Sequence, residues 1–164
     1  MMPNPEEFLP LLNEAKVDYI VIGGVALVAH GAARATFDID LCYKRSKENI
    51  EKLCQVLKPF HPRLRGAPKN LPFQFDPKTV TAGLNFTLAT DLGDIDLLGE
   101  VAGLGFYDSV YESSQLEMVE KIPCRVLSLD GLYRAKSAAG RDKDIDALKV
   151  IKGLKDLKER LGEK

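Results

Sequence analysis

Short apolar runs and helix-like repeats of apolar residues alternate along most of the chain. Period-two alternation predicts strands, and apolar residues recurring every three or four positions predict helices. The predicted strands lie at about 18–22, 38–41, 83–90, 94–98, 116–119 and 124–127. The predicted helices lie at about 5–16, 25–30, 47–58, 129–139 and 143–161. This order predicts an α/β fold of the α+β type, with a small mixed β-sheet flanked by helices and with helices at the C-terminal end.

Several helix ends are marked by capping residues. Asn4 before Pro5 predicts one N-cap, Ser46 and Ser128 predict two more, and Gly140 predicts a C-terminal stop. The first helix should bury Phe8, Leu11 and Leu12, and the third should bury Ile50, Leu53, Cys54 and Leu57. The last helix should bury Ile145, Leu148, Ile151, Leu154 and Leu157. Residues 99–105 are expected to form a loop.

Size and composition are those of an ordinary globular protein, with 164 residues, 45% apolar and 29% charged. We expect one domain, with a core at about 17–100 and a C-terminal helical element at about 128–161. The net charge of -1 gives no overall attraction to nucleic acid. No secretory signal or membrane-length apolar run is visible, and three well-separated cysteines argue against a disulfide framework. We therefore expect a soluble, cytoplasmic protein with reduced thiols.

The pair Gly23-Gly24 follows an apolar strand and precedes a helix. Glycine at such a turn lets backbone N–H groups approach a phosphate, and the helix N-terminus favours negative charge. A tight strand-to-helix turn without a ligand is the other interpretation. The pair matches neither GxGxxG nor the lysine-bearing phosphate loop, which argues against dinucleotide binding and against P-loop chemistry.

Asp38 and Asp40 alternate with apolar residues, so both should lie on one face of a strand, with Cα atoms roughly 7 Å apart. Aspartate is uncommon in strands, and Asp94 and Asp96 repeat the same pattern downstream. Paired carboxylates of this kind bind hard cations such as Mg²⁺, either one ion or two. A solvated acidic strand face is the alternative interpretation, and it is stronger for Asp94, which follows a turn glycine.

Basic residues mark further candidate contacts. Lys136 and Arg141 are placed either to reach nucleotide phosphates or to compensate a helix dipole. Arg34 before Asp38 has two open roles, a phosphate contact or a salt bridge. Residues 58–78 hold five basic residues, three phenylalanines and one acid, and they predict a long surface loop. This loop either binds nucleic acid by charge and stacking or packs its rings into the core, and we favour the second interpretation.

The two histidines lack partners at zinc-binding spacing. His30 is predicted to pack at a helix end, and His61 lies in the predicted loop. Neither is expected to bind a metal.

Together these motifs resemble a known family. The Gly-Gly pair at 23–24 and the Asp-Ile-Asp at 38–40, separated by thirteen residues, are similar to the signature of the nucleotidyltransferases of the DNA polymerase beta superfamily. The Arg-x-Thr-x-Asp-x-Asp run at 34–40 resembles minimal members, including AbiEii-type toxin proteins. The Lys-x4-Arg-x-Lys-Asp-x-Asp run at 136–146 is similar to a C-terminal element of that group. The resemblance covers about residues 17–150.

The resemblance implies the nucleotidyltransferase fold, with an NTP as donor and with Mg²⁺, as one ion or two, as cofactor. It implies that Asp38, Asp40 and a third acid bind the metal and act in catalysis. Asp96 precedes the apolar residues 97–98 as the family's third acid does, and Asp94 is the alternative. The residues implied to bind nucleotide are Gly23, Gly24, Arg34, Thr36, Lys136 and Arg141.

The implied reaction is attack of an acceptor hydroxyl on the α-phosphorus, with release of pyrophosphate. The acceptor stays open between an RNA end, a protein and a small molecule. A catalytically silent nucleotidyltransferase-like module that binds a partner protein, as in a toxin–antitoxin pair, is the alternative. A nucleic-acid binder that uses residues 58–78 is the third hypothesis.

Overall fold

A computed structural model describes residues 4–33, 38–68, 70–141 and 144–162. Its strands are β1 (Tyr19–Ile22), β2 (Ile39–Tyr43), β3 (Arg63–Leu64), β4 (Phe86–Thr90), β5 (Gly93–Leu98), β6 (Glu100–Val101), β7 (Gly105–Phe106), β8 (Ser114–Val119) and β9 (Ile122–Leu127). Its α-helices are α1 (Pro5–Glu14), α2 (Gly23–Ala29), α3 (Lys47–Leu57), α4 (Pro77–Ala82), α5 (Tyr107–Glu112), α6 (Leu129–Ala139) and α7 (Ile145–Arg160). A 3₁₀ turn, Lys58–Phe60, follows α3.

One sheet holds seven strands in the order β3-β4-β5-β2-β1-β9-β8. β2 runs parallel to β5, and β1 runs parallel to β9, while the other neighbouring pairs are antiparallel. β6 and β7 form a separate two-stranded ribbon. The predicted mixed sheet and the antiparallel hairpins β4–β5 and β8–β9 are confirmed.

The core lies around the central strands, where alternate apolar side chains are fully buried. α3 buries the four apolar residues predicted for it. α1 differs in one position, because Leu9 is buried whereas Leu11 is only partly covered. The three cysteines are buried free thiols. No helix in the described ranges is both long and apolar enough to cross a membrane.

The predicted caps are confirmed. The side chain of Asn4 accepts a hydrogen bond from the Glu6 amide at 2.9 Å, and the Ser128 hydroxyl accepts one from the Gly131 amide at 3.0 Å. Gly140 ends α6 with a φ of +61°, in the left-handed region that favours glycine. These local contacts fix the ends of the helices that flank the sheet.

Two segments expected to be loops contain regular structure. Within residues 58–78, β3 pairs with β4 at the edge of the sheet, and α4 begins at Pro77. Within residues 99–105, β6 begins a ribbon with β7. Neither two-residue strand is long enough to show alternation in the sequence, because its hydrogen-bond partner lies on another segment.

The last helix is less buried than predicted. Of its five predicted core residues, Ile151 alone is fully buried, while Ile145 is 49% and Leu157 is 51% exposed. α7 packs on α6 at the periphery, so only a narrow stripe of its surface is covered.

Candidate active site

Two Asp-Ile-Asp tripeptides lie side by side in the middle of the sheet. In the parallel pair β2–β5, Ile39 lies opposite Ile95 and Asp40 lies opposite Asp96. Both isoleucines are fully buried, so the aspartates that flank them point to the other face of the sheet. β2 begins at Ile39, and Asp38 lies directly before it, one residue outside the strand that was predicted to carry it.

Gly23 lies against this acid row. It is the first residue of α2, which therefore begins two residues earlier than predicted, and its φ is +70°. A Cβ atom at this position would collide with the carboxylate of Asp40. The missing side chain thus makes room for one of the protein's own acids, and Gly24 follows as the second residue of the helix.

The carboxyl group of Asp40 has an unusual affinity for a proton. Burial raises its pKa from 3.8 to about 8, with further contributions from a hydrogen bond to Asp96 and from the negative charges of Asp96 and Asp38. The positive charge of Lys136 opposes this shift. The cluster therefore holds a proton at neutral pH unless a cation replaces it.

Arg65 inserts its guanidinium among the acids. Its Nη1 lies 3.0 Å from Asp38 Oδ2, its Nη2 lies 2.9 Å from Asp96 Oδ1, and its Nε lies 3.3 Å from Asp94 Oδ2. Nη2 also donates to the Leu88 carbonyl at 2.8 Å. One arginine therefore bridges carboxylates of both tripeptides.

Sequence reasoning missed this role for Arg65, which counted only as one of five basic residues in a predicted loop. Its position depends on β3, which places residue 65 beside β4; the Arg65 amide donates to the Thr87 carbonyl at 3.0 Å. The signal that was available was indirect. Four aspartates on one sheet face need a positively charged partner, but nothing in the sequence says which basic residue supplies it.

Lys136 and Arg141 meet at one carboxylate. Lys136 Nζ lies 3.2 Å from Asp144 Oδ1, and Arg141 Nε lies 2.7 Å from Asp144 Oδ2. The hydrogen bond from Arg141, followed by that from Lys136, lowers the pKa of Asp144. Asp144 thus joins α6 to the start of α7 and positions both basic side chains.

A cleft of about 390 Å³ opens over Asp40 and Asp96, within the usual size of small-molecule sites. Its remaining polar lining comes from Gly23, Asn85, Glu100, Lys136 and Arg141. Apolar residues of β1, β5, β6, β9 and α6, together with Ala102, form the rest of its walls. The cleft therefore combines acids at its floor, two bases on one side and an apolar surface, and Asn85 and Glu100 are lining residues that the sequence did not indicate.

Several predicted contacts lie elsewhere. Arg34 and Thr36 fall outside the described residues. Asp94 is not among the residues that line the cleft, and it contacts Arg65 instead. His30 is buried, with Nε2 2.8 Å from the Leu127 carbonyl and Nδ1 3.2 Å from Lys158 Nζ, which fits the predicted packing role.

The fit to a metal ion is partial. Aspartate oxygens are the donors that Mg²⁺ prefers, and the buried Oδ1 of Asp96 has no hydrogen bond of good geometry, although Arg65 Nη2 is near. Within the described ranges, however, no group of three or more candidate ligands converges on one point. The guanidinium of Arg65 contacts three of the four acids instead.

Comparison with known proteins identifies the fold. No protein-family model and no curated protein matches the chain. Among solved structures, the lincosamide antibiotic adenylyltransferase LnuA, with lincomycin bound, superposes with a TM-score of 0.63 at 15% identity over 94% of this chain and 99% of that one. ANT(2")-Ia in complex with adenylyl-2"-tobramycin gives 0.57 at 15% identity, covering 94% and 92%. A candidate nucleotidyltransferase from Thermotoga maritima gives 0.54 at 17% identity, covering 90% and 93%. The chain therefore has the nucleotidyltransferase fold that the sequence implied.

Proposed function

We propose that the protein is a Mg²⁺-dependent nucleotidyltransferase, which transfers a nucleoside monophosphate from an NTP to an acceptor hydroxyl and releases pyrophosphate. The observation that carries this proposal is the opposed pair Asp40 and Asp96 at the floor of a cleft that Lys136 and Arg141 also line. Carboxylates beside fixed positive charges suit a metal-bound triphosphate. Because NTPs are cytoplasmic metabolites, we place this activity in the cytoplasm.

Each residue has a chemical role in this proposal. Asp38, Asp40 and Asp96 would hold Mg²⁺, which when bound neutralises phosphate charge and lowers the pKa of the acceptor hydroxyl. Asp96 accepts the hydroxyl proton while the oxygen bonds to the α-phosphorus and the bond to pyrophosphate breaks. Lys136 and Arg141 stabilise the charge that develops on the departing pyrophosphate.

Further triphosphate contacts are part of the proposal. The backbone of Gly23 and Gly24 begins α2 beside Asp40, which supports a phosphate in their reach. The side chains of Arg34 and Thr36 are proposed contacts on sequence grounds alone.

Asp96 is proposed as the third acid in place of Asp94. Both acids contact Arg65, but Asp96 also lies opposite Asp40 and lines the cleft, whereas Asp94 does not line it. Asp96→Ala should lower kcat by about 10²–10⁴, and Asp94→Ala by less than about tenfold. These two variants are a matched pair on one strand, and the reverse order of effects would assign the role to Asp94.

The apolar walls of the cleft and two of the similar structures support a small-molecule acceptor. Those structures contain lincomycin and adenylylated tobramycin, so a hydroxyl-bearing small molecule is the first acceptor to test. An RNA end and a protein hydroxyl are the other classes.

The direct test is incubation of the protein with Mg²⁺ and each α-labelled NTP, offering hydroxyl-bearing small molecules, total RNA and protein extract as acceptors. The Asp38→Ala/Asp40→Ala double variant is the control. Label transferred by the wild type and lost in the double variant would establish the enzyme and name its donor and acceptor. Failure of the wild type to bind any Mg–NTP would refute the proposed site.

One observation favours a second candidate, the silent binding module. Arg65 already pairs with three of the four acids. This pairing neutralises the acids without a metal ion, as a protein that performs no metal chemistry would require. Such a module, for example an AbiEii-like toxin–antitoxin component, would bind a partner protein with or without the double substitution. Loss of partner binding in the double variant would argue against it.

A further inference from the structure

Arg65 lies where the acid cluster would have to receive a cation. Its guanidinium contacts Asp38, Asp94 and Asp96 within 3.3 Å, and its Nε is buried without a hydrogen bond of good geometry. Several charge-assisted contacts in a partly buried site hold the side chain more firmly than one exposed ion pair does. Within the described ranges, Arg65 is the basic side chain that pairs with Asp38, Asp94 and Asp96.

The guanidinium and a divalent cation compete for the negative charge of the same carboxylates. Arg65 contacts Oδ2 of Asp38 and Oδ1 of Asp96, and Mg²⁺, which binds carboxylate oxygens at about 2.0–2.1 Å in nearly ideal geometry, would have to share these two groups with it. The positive charge of Arg65 would also repel a divalent cation placed among these acids. Binding of one partner must therefore weaken binding of the other.

We propose that Arg65 sets the metal affinity of the site, acting as an internal counter-cation that a divalent ion must displace from Asp38 and Asp96. The structure offers a place for the displaced side chain. Arg65 also lines a second cleft of about 590 Å³, together with other residues of the segment 63–68, Leu71, Phe73 and Ala89. The proposal rests on the proposed function only in taking Mg²⁺ or a similar ion as the ligand.

Arg63 provides a matched control. It precedes Arg65 by two residues and lines the same second cleft. Its charge pairs at 3.6 Å with Asp91, outside the acid row, and its side chain is 58% exposed. Arg63→Met thus removes an arginine from the same segment, 63–68, without freeing any of the four aspartates.

The test is Mn²⁺ binding in the absence of nucleotide, measured from the electron paramagnetic resonance signal of the free ion. Arg65→Met should bind Mn²⁺ at least about tenfold more tightly than the wild type, because one charge-assisted ion network no longer competes. Arg63→Met should stay within about twofold of the wild type. Unchanged or weaker binding by Arg65→Met would overturn the proposal, and so would absence of Mn²⁺ binding by all three proteins at millimolar concentration.

A measurement on the wild type covers the case in which Arg65→Met fails to fold. In a ¹H–¹⁵N spectrum, the Nε–H signal of Arg65, assigned with Arg65→Lys, should shift on titration with Mg²⁺, while that of Arg63 should not. An unmoved Arg65 signal at Mg²⁺ saturation would overturn the proposal. Neither measurement uses an NTP or an acceptor, so a protein that transfers no label can still pass this test, and an active enzyme can fail it.

Discussion

The carboxyl group of Asp40 is held between the backbone of Gly23 and the carboxyl group of Asp96. It is partly buried, and the negative charge of Asp38 lies close as well. Its pKa of about 8 means that the metal-free fold keeps a proton that an unfolded chain, with a pKa near 3.8, releases. The protonation of Asp40 should therefore make the free energy of unfolding depend on pH.

The sign of that dependence follows from linkage. Because the folded pKa is raised, the contribution of Asp40 is fully present below its ordinary pKa and is lost as the pH rises towards about 8. Between these values the free energy of unfolding should fall by up to about 1.4 kcal/mol per pH unit. Urea unfolding of metal-free wild type and Asp40→Asn across this range would measure it. The lowered pKa of His30 acts with the opposite sign in both proteins, so it cancels in the comparison. Equal slopes would contradict the assignment.

A second prediction concerns the lack of room for a side chain at Gly23. Alanine at Gly23 would meet both an unfavourable φ and the Asp40 carboxylate, whereas alanine at Gly140 would meet only the unfavourable φ, since its nearest atom is 4.0 Å away. Gly140→Ala should cost about 1–2 kcal/mol of unfolding free energy. Gly23→Ala should cost at least about 1 kcal/mol more, by displacing Asp40. Thermal unfolding of both variants checks this. Similar losses of unfolding free energy would show that the Asp40 side chain moves aside at little cost.

At the scale of secondary structure, Asp144 connects the start of α7 to α6 through its ion pairs. This residue is 3% exposed and forms ion pairs with Lys136 and Arg141. Its pKa lies below the ordinary 3.8, so the stability from this contact is present above that value and lost as the pH falls through the lowered one. The same contact fixes the two bases that line the cleft.

Asp144→Asn should therefore affect both stability and ligand binding. We expect a loss of about 1–2 kcal/mol of unfolding free energy and weaker Mg–NTP binding, because Lys136 and Arg141 lose their common anchor. Asp130→Asn removes a more exposed ion pair to Lys155 and should cost under about 1 kcal/mol without changing nucleotide affinity. Chemical denaturation and calorimetric titration separate the two effects. Nucleotide affinity unchanged in Asp144→Asn would show that the anchor is purely structural.

Elements whose signals are local could be predicted from the sequence. The caps at Asn4 and Ser128, the glycine stop at Gly140 and the two hairpins depend on residues within a few positions of each other. The two Asp-Ile-Asp tripeptides were also visible, because apolar alternation sets which face an acid occupies.

What could not be predicted depends on contacts between distant segments. β3 is a strand only because β4 lies beside it, and Arg65 reaches the acids only because β3 is there. The burial of α7 was overestimated for a similar reason. Its apolar spacing is regular, but the amount of surface it covers is set by α6, which leaves Leu157 half exposed.

For the whole molecule, the order of the strands puts the acids near the centre and their basic partners at the flanks. β5 and β2 carry Asp96 and Asp40, β3 at one edge leads into Arg65, and α6 carries Lys136. Opposite charges thus meet at one place in a chain whose net charge is only -1. A ligand bound there would contact elements that are far apart in sequence.

Binding of Mg–NTP should therefore slow amide hydrogen exchange in separate parts of the chain at once. We expect protection in β2, in β5 and in residues 132–139 of α6, and none in the edge strand β8, which contributes no residue to the cleft lining. At a ligand concentration of about 100 times Kd, the added stability should be about 2.7 kcal/mol. Exchange followed by mass spectrometry, with Asp38→Ala/Asp40→Ala as the control, would map the effect. Protection confined to α6 would mean that the nucleotide binds the basic side chains without reaching the acids. Protection of the acid-bearing strands β2 and β5 and of α6, lost in the double variant, would place the triphosphate between the acids and the basic side chains.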